Sequence, residues 1–220
     1  MDGRPYFISV EEARAICNTT PIQPSIEHVP LDRCTGRVLA EDLSSKVYDP
    51  PFDNSAMDGF ACRFDAAATY PLTLNIVGLQ AATGANEEHT VGEGEAVRIM
   101  TGAPMPPGAD AILPIERCEV DELHVRLLEP PKPHFVRKKG ENLGQGEVAL
   151  SKGQHLTPSR VGLCATMVYA TVPVYARLNV GIVSTGDELK SPGQPLKHGE
   201  IYESNSFGLA GLVEWAGHTA

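Results

Sequence analysis

The chain has 220 residues, 42% hydrophobic content and a formal net charge of -10. That composition supports a folded core in one large or two modest domains. The acidic balance argues against a nucleic-acid or anionic-membrane partner, because neutralising phosphates requires a basic face. The one candidate basic patch is VRKKG (136–140), which reads first as a solvated loop beside a turn.

The N-terminus has no basic stretch followed by an apolar core and a small-residue cleavage site, so the expected location is the cytoplasm. The longest uncharged run, VGLCATMVYATVPVYA (161–176), is broken by Pro173 and falls short of the roughly 20 residues that a bilayer helix needs. The five cysteines lie at wide, irregular spacings without a CxxC or His-Cys cluster. They read as reduced thiols rather than metal ligands.

In chain order, ISVEEARAIC (8–17) carries Ser9 as an N-cap and Glu12 three residues on, a capping box that opens a short amphipathic helix. A second short helix is expected over LDRCTGRVLAEDL (31–43), interrupted by Gly36. From about residue 70 to 133, short alternating runs (LTLNIV, EAVRIM, DAILPIE, LHVRLL) separated by Gly, Pro, Asn and Asp predict a β domain of short strands. MTGAPMPPGAD (100–110) reads as a shaped loop, since three prolines remove ladder donors. LTPSRVGLCATMVYA (156–170) predicts a helix from near Ser159 packed on most sides, and TVPVYA a strand after it. LNVGIVST (178–185) reads as a parallel strand buried on both faces. A final helix is expected over about 205–216, with Phe207, Leu212, Val213 and Ala216 inward. One strand and one helix cannot complete a parallel sheet, so the sequence reads as cut inside a third domain.

PPFDNSAMDGFA (50–61) fits none of these periodicities. Together with VRIMTGAPMPPGADAILPIE (97–116), VRKKGEN (136–142), VGIVSTGDELKSPGQPLKHGEIYESN (180–205) and the opening ISVEEA, it resembles the molybdopterin molybdenumtransferase family, which includes bacterial MoeA and the gephyrin E domain. The resemblance covers nearly the whole chain but only the N-terminal portion of the family. It implies an α+β region in which a helical and extended domain I (1–52 and 136–177) carries an inserted β-rich domain II (53–135). The start of a three-layer α/β molybdopterin-binding domain III (178–220) follows.

The implied chemistry is insertion of molybdate into adenylylated molybdopterin with release of AMP, helped by Mg2+ or another divalent cation. The implied partners are a second copy of the chain and the protein that adenylylates molybdopterin. The chain would carry part of the site, and the alternative is a dimerising scaffold without catalysis.

Asp58, Thr101 and Glu188 match the family's catalytic positions, with Asp58 and Glu188 as candidate metal carboxylates. Ser184, Thr185, Gly186 and Asp187 follow the predicted buried strand, at the carboxyl end where α/β sheets bind ligands, and join Asn205 as candidate pterin-binding residues. Each has a plainer reading: Asp58 as an Asx cap, Thr101 as a turn former, the acidic loop as a cap of the following turn, and Asn205 as a helix N-cap. Asp53 and Ser55 read as shaping their loop. Two positions depart from the family pattern. Asn142 replaces an aspartate and cannot carry a negative charge, and Val168 replaces a helix-ending glycine.

Overall fold

The computed structural model describes residues 7–19, 21–82 and 89–220. In chain order the elements are α1 (Val10–Thr19), β1 (Ile26–Pro30), β2 (Leu43–Ser44), β3 (Asn54–Ser55), β4 (Gly59–Cys62), β5 (Leu72–Gln80), β6 (Glu95–Ile99), β7 (Ala111–Pro114), β8 (Cys118–Val120) and β9 (His124–Leu127). They continue with β10 (Val136–Arg137), β11 (Val148–Leu150), α2 (Pro158–Thr166), β12 (Thr171–Tyr175), β13 (Leu189–Lys190), β14 (Ile201–Tyr202) and α3 (Asn205–Trp215). The architecture is mixed α/β in two compact units. One comprises the chain up to Glu41, Ser151–Gly162 and Ala170–Ala220; the other comprises Asp42–Leu150 and Leu163–Tyr169.

The second unit is built on a six-stranded sheet of order β7-β4-β6-β5-β9-β8. Its pairs are antiparallel except β5 with β6, where the register shifts between Ile76 and Gly78. Every residue of β4 is buried, and the two-residue period of a strand sorts its side chains to opposite faces. Phe60 and Cys62 pack with Leu74, Leu113, Val125 and Leu127, whereas Ala61 packs with Ile99, Ala103, Ile112 and Val136. Phe60 is fully buried, worth roughly 1.5–3 kcal/mol relative to exposure. Burial also pushes the Cys62 thiol up to about 12 and Cys118 to about 11.

β10 pairs with β3 and β11 with β2, so 42–52 and 136–150 belong to the same compact unit as the sheet. In the first unit, β1 and β12 form an antiparallel pair, and Leu39 bridges Val174. α1 begins with the expected capping box, in which the Ser9 N–H donates to Glu12 Oε2 at 2.7 Å and the Glu12 N–H to Ser9 Oγ at 3.1 Å. None of its residues is buried.

Four expectations need correction. The helix over 31–43 is only a 3-10 turn, Leu31–Arg33, because the backbone beyond it bonds elsewhere: Leu39 N–H to Gln154 O, Gly36 N–H to Leu156 O and Ala40 N–H to Pro173 O. Cys164 is the one buried residue of α2, so that helix is not packed on most sides. The strand over 178–185 does not form; its backbone pairing is a single parallel bridge, Asn179 with Thr219, whereas a buried parallel strand needs neighbours on both sides. In α3 no residue is buried, with Phe207, Leu209, Leu212 and Trp215 all exposed, so it has no inner face among the described residues. No helix among those residues is long and apolar enough to cross a membrane.

The end of α2 shows what the Val168 departure does. The Tyr169 N–H donates to Cys164 O and the Val168 N–H to Ala165 O, each at 3.0 Å, the two bonds of a Schellman motif, which places Val168 at the position that glycine usually fills. Val168 has φ +67°, the only positive φ at a non-glycine among the described residues. A β-branched residue is strained there by about 1–2 kcal/mol, and this one is 58% exposed, so its side chain returns little packing. Val168→Gly is expected to stabilise the protein by about 1 kcal/mol, after the extra entropy that glycine loses. Urea unfolding checks it, and an unchanged or lower midpoint would contradict the strain.

Candidate functional site

Asp58 enters the sheet unit immediately before β4, and Thr101 leaves it two residues after β6. Because β4 and β6 are antiparallel with Gly59 opposite Ile99, the two residues emerge at the same end of these neighbouring strands. The Thr101 backbone N–H donates to Asp58 Oδ1 at 2.6 Å, and its hydroxyl donates to the same oxygen at 2.8 Å. These bonds, the backbone one first, and the nearby Arg98 charge hold the Asp58 carboxyl below its usual range. Both side chains are exposed. The carboxylate is thus anionic and fixed through one oxygen, with Oδ2 free of donors among the described residues.

The turn that delivers Thr101 depends on the next residue. The Ala103 N–H closes onto Met100 O at 3.0 Å, with Gly102 at φ +81°, the type II geometry that requires a positive φ at its third position. The Gly102 N–H then reaches Ser55 O at 2.8 Å.

The PPFDNSAMDGFA segment that carries Asp58 is held by its own bonds. Ser55 is buried, and its hydroxyl donates to Met57 O while accepting from the Met57 N–H, a local turn of the ST type. Asp53 accepts from Lys138 Nζ and from the Lys139 N–H, each at 2.8 Å. The lysine first and the amide second keep its carboxyl low. Lys139 Nζ lies 4.5 Å from the Tyr48 ring centre, so the basic VRKKG run is tied to this loop. Asp53 and Ser55 shape the loop as the sequence implied.

Asn142 takes a definite role. Its N–H donates to Asp49 O at 2.9 Å and its amide Nδ2 to Asp49 Oδ2 at 3.2 Å. An aspartate there would set two carboxylates together, raising the folded-state pKa of the pair. Such a pair leaves stability intact below the unfolded value near 3.9 and costs stability as pH rises through the raised folded value. Asn142→Asp is therefore expected to destabilise more at pH 7 than at pH 4, by under about 1 kcal/mol at this exposed position. Denaturant midpoints at the two pH values check it, and an equal loss at both would contradict the like-charge account.

In the other unit, the 184–188 loop is exposed throughout. Gly186 has φ +150°, and a Cβ there would lie 2.7–2.8 Å from the Glu188 carboxylate atoms, which fold back over it. The Leu189 N–H donates to Gly186 O at 3.2 Å, and the Ile201 N–H to Glu188 O at 2.9 Å. β13 and β14 pair in parallel just beyond. Ser184 Oγ donates to Glu203 Oε1 at 2.9 Å. Thr185, Asp187 and Glu188 present exposed side chains.

Asn205 is the first residue of α3 rather than its cap. Ser204 precedes the helix without a side-chain cap bond, and Glu203 takes that part. Sequence reading passed over Glu203, although an acid at the mouth of a helix with a serine three residues later (ESNS) is its visible sign.

The residues 8–168 match the model of the MoeA N-terminal region (domain I and II). The chain belongs to the MoeA family. It is 38% identical over 211 residues to the molybdopterin molybdenumtransferase of Haemophilus influenzae, covering 94% of this chain and 52% of that protein. It is 42% identical over 195 residues to molybdopterin molybdenumtransferase 2 of Mycobacterium tuberculosis, covering 86% and 48%. A crystal structure of the Pyrococcus horikoshii molybdopterin biosynthesis MoeA protein superposes with a TM-score of 0.80 at 32% identity, over 96% of this chain and 55% of that one. The chain thus spans about half the length of the relatives it matches. Of the three candidate catalytic residues, Asp58 and Thr101 are joined by hydrogen bonds.

Proposed function

We propose that this chain forms the N-terminal part of a molybdopterin molybdenumtransferase, working in molybdenum cofactor biosynthesis in the cytoplasm. The reaction is insertion of molybdate into adenylylated molybdopterin with release of AMP. The observation that carries the reading is the Asp58 carboxylate, exposed yet fixed by two donors from Thr101, in a chain similar along most of its length to proteins named for this transfer.

Among the described residues no three His, Cys, Asp or Glu side chains converge as a metal cage. The exposed carboxylates of Asp58 and Glu188 fit a hard cation such as Mg2+, which usually takes one or two carboxylates and completes its shell with phosphate oxygens and water. Asp58 or Glu188 would supply the carboxylate, and the cation would neutralise charge on the phosphoanhydride oxygens of the substrate. Thr101 would keep Asp58 anionic and aimed. The 184–188 loop would offer the Gly186 backbone and the Ser184, Thr185 and Asp187 polar groups to the pterin, joined by Asn205 at the start of α3. A second copy of the chain and the protein that adenylylates molybdopterin are the partners of this reading.

Calorimetric titration of the chain with molybdopterin, with and without Mg2+, tests the proposal. Cation-dependent affinity supports it. Tight self-association in sedimentation with no pterin binding overturns it in favour of a scaffold.

A further inference from the structure

Glu203 sits where the 184–188 loop meets the first turn of α3. Its backbone is fixed first: the Glu203 N–H donates to Lys190 O at 2.9 Å, directly after the β13 and β14 pair. The half-buried side chain then gathers three donors. Oε1 accepts from the Ser184 hydroxyl at 2.9 Å and from the Ser206 N–H at 2.7 Å, while Oε2 accepts from the Ser206 hydroxyl. The bond to Glu203 is the one hydrogen bond that Ser184 makes among the described residues, and the bonds to Gly186 O and Glu188 O hold the loop downstream of it. Without the carboxylate, the entry to the loop has no tie to the helix.

We infer that Glu203 is a positioning residue for the 184–188 loop, its carboxylate locking Ser184 to the first turn of α3. The Ser206 hydroxyl first, then the Ser206 N–H, hold its carboxyl below the usual range, as suits an anion gripped by donors at a helix N-terminus. One orphan donor of that turn, the Ser206 N–H, is met by the chain's own carboxylate. The inference rests on the reading of this loop as part of the pterin site, and it adds a residue that touches no ligand itself.

The test uses the whole chain with Glu203→Ala, Glu203→Gln and Ser184→Ala, followed by amide hydrogen exchange and by molybdopterin titration. Glu203→Ala is expected to speed exchange of the Leu189 and Ile201 amides, which donate to Gly186 O and Glu188 O of the loop, by on the order of tenfold, as loss of charge-assisted bonds allows, and to leave β4 and β6 unchanged. Glu203→Gln keeps an oxygen for Ser184 and Ser206 and is expected to recover most of the protection. Ser184→Ala should reproduce the loop effect without disturbing the first turn of α3. Unchanged loop exchange in Glu203→Ala overturns the inference. A wild-type chain that binds no molybdopterin would instead sink the site reading, while exchange still decides the tie. If the loop loosens and the pterin affinity of a binding wild type does not fall, the loop is held by Glu203 but positions nothing for the ligand, and the inference fails.

Discussion

Gly59→Ala is expected to cost about 3 kcal/mol or more, near the upper end of what overpacking a core imposes. Gly59 lies in β4 between β6 and β7, opposite Ile99 on one side and Pro114 on the other. A Cβ at this position would stand 2.1 Å from Leu113 O, 2.9 Å from Leu113 C and 3.0 Å from Pro114 Cα. All three are main-chain atoms, so no rotamer change relieves the clash and β4 must part from β7. The same separation would disturb the Ile115 N–H to Asp58 O bond at 3.1 Å, which anchors the backbone of the candidate carboxylate. Urea unfolding followed by far-ultraviolet circular dichroism measures the cost. The single tryptophan, Trp215, belongs to the other unit and does not report on this sheet. A loss below about 1 kcal/mol would mean that β4 and β7 can separate cheaply.

Gly59 also shows how far the sequence could be read. Its place between an acid and a phenylalanine in a proline-rich stretch signalled a shaped loop, but the backbone of Leu113 that forbids a side chain lies more than fifty residues away along the chain. Local chemistry was legible wherever partners are close in sequence: the Ser9 and Glu12 box, the alternating strands β5, β6, β7 and β9, and the proline loop after Met100. It failed where distant backbone decided the outcome. The 31–43 segment gave up helical bonds to pair with 154–156 and 173–174. The 178–185 run had the composition of a buried strand, but among the described residues it has only the Asn179 bridge to Thr219 as backbone pairing.

The candidate site divides in the same way. The motif residues Asp58 and Thr101 were found separately, 43 positions apart, and only the antiparallel register of β4 and β6 turns them into one hydrogen-bonded pair. Val168 was visible as an odd residue at a helix end, and its positive φ explains why glycine is the usual occupant there.

Asp58→Asn is expected to abolish the cation dependence of molybdopterin binding while leaving the fold intact. The substitution conserves shape at an exposed position, and the remaining amide oxygen still accepts from the Thr101 N–H. What disappears is the negative charge, and a neutral amide is a poor donor to a hard divalent cation. The loss should be about a hundredfold or more in cation affinity, at or beyond the upper end of the roughly 10–100-fold typical when a ligand's supporting partner is removed. Thr101→Val separates charge from aim: the valine keeps the branched shape and the backbone N–H but loses the 2.8 Å hydroxyl bond. It should fall between Asp58→Asn and wild type, at about tenfold, and Thr101→Ser should restore wild-type behaviour. Titration of each variant with Mg2+ in the presence of molybdopterin orders them. Equal affinities for Asp58→Asn and wild type would remove Asp58 from the cation site. A Thr101→Val effect as large as that of Asp58→Asn, with Thr101→Ser also impaired, would show the threonine acting on the ligand itself rather than through the carboxylate it holds.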